Sequence, residues 1–377
     1  MRVVVVGGGV LGTFHAWEAV RRGDEVVHLE REAGPRGATV RNFGLVWVSG
    51  RADGPELETA VRARELWEQA SEKVAGLDFR PAGSLTVCRT EEELAVAKEA
   101  AERDAGEQSV GGAGRGFEFL DAEQARKLNP ALRGEMLGAL WCPRDGVVEP
   151  REVLAAVRKQ LESSGRYLFV PGREVRDVRD RQVRTDDGVV HAADEVWLCT
   201  GAWHSGLIRE LTDDLPVRRV RLQMMQTAPL DEQLTTAIAD ADSFRYYPAY
   251  QGPALDALNQ VPQATVADDH KMQLLMVQRT HGGLTIGDTH EYAEPFGFDV
   301  QEDPYDYLKT AAEQILGREI PKVVRRWAGV YSQATTPGEV VVRRTVADGV
   351  HLVTGPGGRG MTMAPAIAEA SFAAVNR

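Results

Sequence analysis

The hydrophobic positions at the start of the chain predict a strand, a helix and a second strand in direct succession. Val3–Val6 form an unbroken apolar run, which is typical of a strand buried on both faces. Apolar residues at helical spacing follow a glycine-rich turn, and Gly23 ends that helix. Residues 25–30 then read as a second strand that ends on Glu30. This order predicts the opening unit of an α/β nucleotide-binding domain.

The pattern changes twice further along the chain. Residues 56–76 carry apolar side chains at helical spacing and predict a long amphipathic helix. Residues 216–292 consist of short apolar stretches separated by turns, which predict a mostly antiparallel sheet with 243–250 as one strand. Residues 349–375 return to an apolar strand, a glycine-rich turn and a helix. A cofactor domain built from distant segments, with a sheet domain between them, explains this arrangement.

The first glycine-rich turn has the spacing of a dinucleotide site. Residues 7–12, GGGVLG, fit G-x-G-x-x-G: Gly7 permits the tight turn, Gly9 lets the backbone approach a pyrophosphate, and Gly12 lets helix and strand pack closely. The following helix offers its N-terminal N–H groups to the phosphates. Glu30 follows Gly7 by 23 residues, near the spacing of about 20 expected of a ribose-binding acid, which disfavours NADP. These residues alone leave NAD and FAD open.

Composition narrows the classes of partner. The chain has 377 residues, is 43% hydrophobic and carries a formal net charge of -12, which disfavours nucleic acid and anionic membranes as partners. It has no apolar run of about 18 residues that could span a membrane. Cys88, Cys142 and Cys199 lie far apart and form no CxxC, as expected of reduced thiols in a cytoplasmic protein. The histidines show no metal-binding spacing, so we assign no metal.

Five further stretches resemble, in order, the amine- and amino-acid-oxidising flavoproteins that include D-amino-acid oxidase, glycine oxidase and sarcosine oxidase. The stretches are GATVRNFG (37–44), DGVVEP (145–150), VWLCTGAW (196–203), WAGVY (327–331) and GPGGRGMTMAPAIAE (355–369). The resemblance covers nearly the whole chain and implies that the dinucleotide is FAD. The stretch RNFGLVW (41–47) is also similar to a subgroup associated with aminophosphonate breakdown.

The resemblance implies a fold of the α/β class with an added antiparallel sheet. A Rossmann-like FAD-binding domain is assembled from the discontinuous segments 1–76, 145–212 and 326–377. A mixed or antiparallel sheet forms the substrate-binding domain from residues 77–144 and 213–325.

The resemblance also implies which residues contact FAD. Gly357, Gly358 and Gly360 precede a helix whose N–H groups can stabilise negative charge at the N1/C2=O edge of the reduced ring. Val175 is expected to contact adenine through its backbone. The predicted cofactor-binding residues are Gly7, Gly9, Val10, Leu11, Gly12, Glu30, Arg31, Ala38, Thr39, Asn42, Phe43, Gly44, Val175, Thr200, Gly201, Trp203, Gly329, Gly357, Gly358, Arg359, Gly360, Met361 and Thr362.

Three departures from the family pattern concern the chemistry. No cysteine lies in or near WAGVY, where sarcosine oxidase relatives attach flavin covalently, so FAD is expected to be non-covalent. Thr285 stands where those relatives have a lysine between flavin and oxygen, which predicts slower oxygen reactivity. Tyr331 or Ser332 occupies the place of the arginine with which glycine oxidase relatives clamp the α-carboxylate.

Other side chains could bind an anion. Arg245 stands on the predicted strand where family members tend to have a tyrosine that faces the substrate, and its planar fork suits carboxylate or phosphonate. Tyr247, on the same strand face, and Trp47 are expected to form walls. Arg359 replaces a family histidine close to the ring. The predicted catalytic-site residues are therefore Arg245, Tyr247, Trp47, Tyr331, Arg359 and Thr285.

We expect a flavin-dependent oxidation of a primary or secondary amine that carries an anionic group, of the amino acid or aminophosphonate type. Hydride passes to flavin N5, the imine is hydrolysed, and oxygen or another acceptor reoxidises the flavin. The expected partners are the amine and the electron acceptor, with no nucleic acid and no membrane. Two alternatives stay open: an NAD-dependent dehydrogenase, and a non-catalytic binding protein that keeps the flavin fold.

Overall fold

The computed structural model describes residues 1–109 and 114–375 as strands, helices and connecting turns. In chain order the strands are β1 (Arg2–Val6), β2 (Glu25–Glu30), β3 (Leu45–Val46), β4 (Ser84–Cys88), β5 (Glu118–Asp121), β6 (Gly138–Cys142), β7 (Gly146–Val147), β8 (Tyr167–Pro171), β9 (Val175–Arg179), β10 (Gln182–Thr185), β11 (Val190–Ala192), β12 (Glu195–Leu198), β13 (Val217–Pro229), β14 (Ala237–Asp240), β15 (Leu275–Gln278), β16 (Gly283–Gly287), β17 (Val323–Ala334), β18 (Val342–Ala347) and β19 (Val350–Thr354). The helices are α1 (Val10–Arg21), α2 (Pro55–Lys73), α3 (Glu91–Ser109), α4 (Ala122–Leu128), α5 (Val153–Glu162), α6 (Leu207–Leu211), α7 (Asp242–Tyr246), α8 (Pro253–Leu258), α9 (Thr265–Asp269), α10 (Glu302–Leu316) and α11 (Gly360–Val375).

The first layer of the fold is a six-stranded sheet in the order β18-β19-β12-β1-β2-β8. Its strands run parallel except for β18, which pairs antiparallel with β19. The unbroken valine run of β1 is explained by burial on both faces. Val3 and Val5 belong to the core formed with α1, α2, α5 and α11, whereas Val4 and Val6 face the core shared with the small sheet β9-β10-β11.

The second large sheet has eight strands in the order β17-β13-β16-β15-β14-β4-β6-β5. It is antiparallel except for the parallel pair of β14 and β4. Helix α10 covers one face, where Leu284 and Ile286 of β16 meet its apolar side. The opposite face carries Leu222, Met224 and Leu275 and turns toward the first sheet. The alternation of side chains along each strand therefore separates a closed core from a face that lines a cavity.

These elements confirm the predicted fold class, with one local correction. The stretch 243–250 was expected to be a strand, but Asp242–Tyr246 form the short helix α7. Pro248 disfavours helical geometry at the residue before it, and Tyr247 is extended at φ -93 and ψ 139, so the helix ends at Tyr246. Arg245 and Tyr247 therefore do not share a strand face.

The domain boundaries remain predictions. The boundary placed at residue 326 falls inside β17, which pairs with β13 from Val217 to Thr227 in the second sheet. In the part of the chain that the structure describes, no helix has the length and apolar character that crossing a membrane requires.

Candidate functional site

A cavity of about 1140 Å³ lies between the two large sheets. The turns that follow β1, β12 and β19 line one side of it, and residues of β13, β15 and β17 line the other. Carboxyl ends of parallel strands are where open α/β sheets bind ligands. The cavity exceeds the roughly 300–1,000 Å³ typical of a single drug-sized ligand. It therefore has room for an extended cofactor together with a small substrate.

The turn after β1 has the geometry of a phosphate-binding turn. Gly7 has a φ of 107, and a Cβ on Gly12 would lie 1.9 Å from the Gly7 carbonyl oxygen. Both positions therefore require glycine for this turn and for the close contact of helix with strand. A Cβ on Gly9 would lie 3.3 Å from Thr39 Oγ1, which also accepts a hydrogen bond from the Val10 N–H at 3.0 Å. The N-terminus of α1 opens into the cavity through Gly8, Gly9 and Val10.

Glu30 lies at the end of β2 and its carboxylate is held by backbone N–H groups. Its Oε2 accepts a hydrogen bond from Gly8 at 2.6 Å, and its Oε1 accepts one from Glu32 at 2.8 Å. The guanidinium of Arg158 donates to the Gly8 carbonyl and fixes the turn from the other side. A carboxylate accepts up to four hydrogen bonds, so Glu30 retains lone pairs for ribose hydroxyls. The residues present fit a dinucleotide.

Most of the predicted cofactor residues meet in this cavity. Asn42 holds its own loop: it donates to Ala38 O and Thr39 O, and it accepts from the Gly44 N–H at 2.6 Å. Gly12 and Gly44 do not line the cavity but shape the backbone behind it, since a Cβ on Gly44 would lie 2.1 Å from Val148 O. The predicted residues that line it are Gly7, Gly9, Val10, Leu11, Glu30, Arg31, Ala38, Thr39, Asn42, Phe43, Val175, Thr200, Gly201, Trp203, Gly329, Gly357, Gly358, Arg359, Gly360, Met361 and Thr362.

Two arginines share one carboxylate on the cavity wall. Arg359 donates through Nε to Glu56 Oε1 at 2.6 Å, and Arg51 Nη1 lies 3.9 Å from the same oxygen. Arg51 is buried, with its Nε donating to Trp47 O at 2.8 Å. Sequence reasoning missed Arg51, because nothing in SGRADG distinguishes it from a surface arginine in a turn. Glu56 is thus the carboxylate within 4.0 Å of both guanidinium groups, and Asp145 acts on Arg51 from farther away.

The predicted anion ligand Arg245 lies at the cavity but is engaged elsewhere. Its Nε is 3.3 Å from Asp242 Oδ1, and its Nη2 donates to Val261 O at 3.1 Å. Tyr247 and Trp47 form a tilted aromatic pair with centroids 6.0 Å apart, and both line the cavity. The predicted roles of Arg245, Tyr247 and Trp47 in substrate binding stay predictions.

Tyr331 and Thr285 are both buried, but only Tyr331 lines the cavity. Tyr331 lies on β17, is buried and lines the cavity. Thr285 lies on β16 opposite Val277 and Gln226 and is also buried, but it does not line the cavity. The proposed link between Thr285 and oxygen chemistry therefore stays a prediction that the cavity wall does not support directly.

A cluster of aromatic and polar side chains closes the cavity at the end of β16. His290 stacks on Tyr246 with ring centroids 4.2 Å apart. The carboxyl group of Asp288 is buried, and desolvation raises its pKa. Desolvation also raises the pKa of Tyr246, which keeps the phenol protonated. The cavity-lining members of this cluster are Tyr246, Tyr247, Gln273, Asp288, His290, Tyr292 and Tyr331.

Sequence reasoning found only Tyr247 and Tyr331 of this cluster. The stretch GDTHEY (287–292) held a signal, since an acid and a histidine follow directly on a buried strand. Among the described residues no group of three or more His, Cys, Asp or Glu side chains could hold a metal ion.

Comparison with known proteins places this geometry among flavoenzymes. A family model described as FAD dependent oxidoreductase (DAO) matches residues 2–373. An opine oxidase subunit of Rhizobium meliloti is 30% identical over 176 residues, 43% of this chain and 45% of that protein. Glycine oxidase of Geobacillus kaustophilus is 27% identical over 249 residues, 63% of this chain and 64% of that protein. The chain therefore aligns with less than two thirds of the length of either relative.

Solved structures share the fold over nearly the whole chain. Glycine oxidase from Bacillus cereus superimposes with a TM-score of 0.77 at 20% identity, covering 100% of this chain and 94% of that one. L-proline dehydrogenase from P. horikoshii gives a TM-score of 0.76 at 22% identity, covering 98% and 91%. At these identities the likeness shows the fold alone.

Proposed function

The chain belongs to the FAD dependent oxidoreductase family, and from that premise we propose that it oxidises an amine whose anionic group lies at a distance from the nitrogen. An aminophosphonate is the substrate type that fits best. FAD, bound non-covalently, is the cofactor, which decides the choice that the first glycine turn left open between NAD and FAD. When bound, FAD accepts a hydride from the carbon next to the amine nitrogen.

The chain's own residues would hold the cofactor at both ends of the cavity. Gly7 and Gly9 leave space for the pyrophosphate, and Glu30 offers a carboxylate to the ribose. The turn at Gly357 and Gly358 directs the N-terminus of α11 into the cavity, where its N–H groups can stabilise negative charge on a reduced ring. The aromatic cluster around Tyr246 and Tyr331 would exclude water from the reacting carbon.

The observation that carries the proposal is the unequal pairing of Arg51 and Arg359 with Glu56. Glu56 lies 2.6 Å from Arg359 but 3.9 Å from Arg51, so Arg51 has no close ion pair among the described residues, although Asp145 acts on it at longer range. A buried uncompensated charge is costly, and an anionic ligand would offset that cost. Guanidinium geometry suits the paired oxygens of a carboxylate or phosphonate.

The position of the Arg51 guanidinium differs from that of the carboxylate-binding arginine in glycine oxidase relatives. Glycine oxidase relatives carry their carboxylate-binding arginine at the position of Tyr331 or Ser332 here, on β17. Arg51 lies instead in the turn before α2, beside Trp47. Arg51 Cζ lies 5.8 Å from the ring of Tyr247, so one ligand could contact both the aromatic cluster and this guanidinium. The stretch RNFGLVW, similar to the aminophosphonate subgroup, supports the same substrate type.

The test is an oxygen-free screen for loss of flavin absorbance with matched amines. The panel is 2-aminoethylphosphonate, its N-methyl derivative, 3-aminopropanoate, glycine, sarcosine and propylamine. We expect the two phosphonates to reduce the flavin with the highest ratio of rate constant to Kd, because they combine the remote position with the larger charge. Glycine, sarcosine or propylamine as the best reductant would contradict the proposal. A colourless protein that binds NAD would contradict the flavin assignment itself.

A further inference from the structure

Asp288 is the acidic side chain of the aromatic cluster at the end of β16, and one of its oxygens has no hydrogen-bond partner. Its Oδ1 is fully buried and accepts no hydrogen bond from the residues in 1–109 and 114–375. Its Oδ2 lies 3.9 Å from His290 Nε2. A buried carboxylate oxygen without a donor costs free energy, which an N–H donor from a ligand in the cavity would offset.

A second acceptor without a donor lies next to Asp288. Gln273 pairs with it through the backbone, the Asp288 N–H donating to Gln273 O at 2.9 Å. The Gln273 side chain donates through Nε2 to the Tyr247 hydroxyl at 3.1 Å, which leaves Oε1 as a buried acceptor with no partner among the described residues. Burial raises the pKa of Asp288, and His290 and a hydrogen bond with the Gln273 side chain lower it. Asp288 and the Gln273 amide thus place oxygen acceptors side by side at the cavity, where an ammonium could donate to them.

We infer that Asp288 Oδ1 binds the ammonium group of the substrate and accepts one proton from it, leaving the neutral amine that can be oxidised. This inference rests on the proposed function and adds the group that prepares its substrate. In the transfer an N–H bond of the ammonium breaks and an O–H bond on Asp288 forms. The ammonium and the Asp288 carboxylate both become neutral, and neither group is oxidised or reduced.

The surroundings of Asp288 favour this transfer. In a buried site both ions have lost hydration, so two neutral partners are favoured over an ion pair more than they are in water. The groups with charge or titration that face Asp288 are His290, Tyr246, Tyr247, Tyr292 and Tyr331, with Lys271 at the margin of the cavity. Burial raises the pKa of each of these four tyrosines, so the phenols are poor proton acceptors. Asp288 is thus the carboxylate placed to take the proton.

The experiment compares the pH dependence of flavin reduction in the holoenzyme and in Asp288→Asn. The probe is N-methyl-2-aminoethylphosphonate, mixed without oxygen, and the readout is the ratio of the reduction rate constant to Kd from pH 7 to pH 10. An alkylammonium with a pKa near that of lysine, about 10.4, is neutral to less than one part in a thousand at pH 7. We expect a flat profile for the wild type. For Asp288→Asn we expect a loss on the order of a thousandfold at pH 7, shrinking about tenfold with each pH unit.

Two further variants separate proton transfer from a structural effect. Asp288→Glu keeps a carboxylate and should keep the flat profile at a reduced level. Glu291→Gln makes the same charge change three residues away, where the carboxylate pairs with Arg221 at 2.8 Å and does not line the cavity, so it should match the wild type. Flavin content shows whether each variant has folded.

The outcomes are distinguishable. Profiles for wild type and Asp288→Asn that stay parallel at every pH, or show no loss, overturn the inference and leave the proposed function intact. A steep profile in Asp288→Glu overturns it as well. If no amine of the panel reduces the wild-type flavin, the proposed function fails and takes the inference with it. If Asp288→Asn does not retain flavin, the contrast between Asp288→Glu and the wild type decides.

Discussion

Replacing Arg51 by glutamine should remove the proposed preference for anionic amines. Arg51 is buried at 5% exposure, and its ion pair with Glu56 is long at 3.9 Å, because Glu56 pairs more closely with Arg359. Glutamine keeps a donor for Trp47 O and removes the charge.

The magnitude follows from the kind of hydrogen bond that the substitution removes. A hydrogen bond to a charged group contributes roughly 1.5–3 kcal/mol, and each 1.36 kcal/mol is tenfold in rate, so kcat/KM for a phosphonate should fall by about ten- to hundredfold. Propylamine has no anion and should be nearly unaffected. Arg245→Ala should give a smaller loss, because that guanidinium already holds Asp242 and Val261 O.

The assay is steady-state or anaerobic kinetics with 2-aminoethylphosphonate and propylamine side by side. Arg62→Gln is the matched control. Arg62 lies on α2, pairs with Glu369 of α11 at 2.8 Å and does not line the cavity. Arg51→Lys keeps the charge without the planar fork, so its kcat/KM for the phosphonate should lie between those of the wild type and Arg51→Gln. An equal loss for both amines, or none for the phosphonate, would refute the role of Arg51 in anion binding.

The remaining predictions concern the cofactor, oxygen and pH. Gly9→Val should yield apoprotein that still folds, whereas Gly34→Ala, where a Cβ meets nothing within 4 Å, should keep its FAD; flavin content after purification checks both. Thr285→Lys should raise the rate of flavin reoxidation by oxygen in stopped flow, and an unchanged rate with flavin retained would show that the position does not govern oxygen chemistry. Burial lowers the pKa of His28 to about 3 and of His15 to about 4, so below pH 6.5 the unfolded chain binds more protons than the folded one. The free energy of unfolding should therefore fall by about 2 kcal/mol for each histidine between pH 7 and pH 5, and His28→Gln should flatten part of that slope in urea titrations.

The cofactor site was largely predictable because its parts are local. Gly7, Gly9 and Gly12 act within one turn, and Gly357 and Gly358 act within another. The geometry of such turns depends on steric limits within a few residues. The fold brings these two turns together at the cavity, although they lie at opposite ends of the sequence. No local pattern encodes that contact.

The substrate side was predictable only in part, and Arg245 shows why. The hydrophobic pattern of 243–250 fits a strand as well as a short helix. In the structure the chain turns helical at Ala241, directly after β14, and Pro248 ends that helix at Tyr246. In this helix the Arg245 guanidinium pairs with Asp242 at 3.3 Å. Pattern alone could not show which partner a charged side chain would find.

By itself the sequence determined the class of fold and the glycine turns of a dinucleotide site, because glycine spacing and buried strands express short-range sterics. The choice of FAD came from the resemblance to a family. Only the tertiary structure showed which side chains lie together at the candidate substrate site. Arg51, Gln273 and Asp288 come from separate turns and strands, and each looks ordinary among its sequence neighbours. Their properties depend on burial and on which partners remain unpaired. Those are consequences of long-range packing between β13, β15, β16 and β17 and the first sheet.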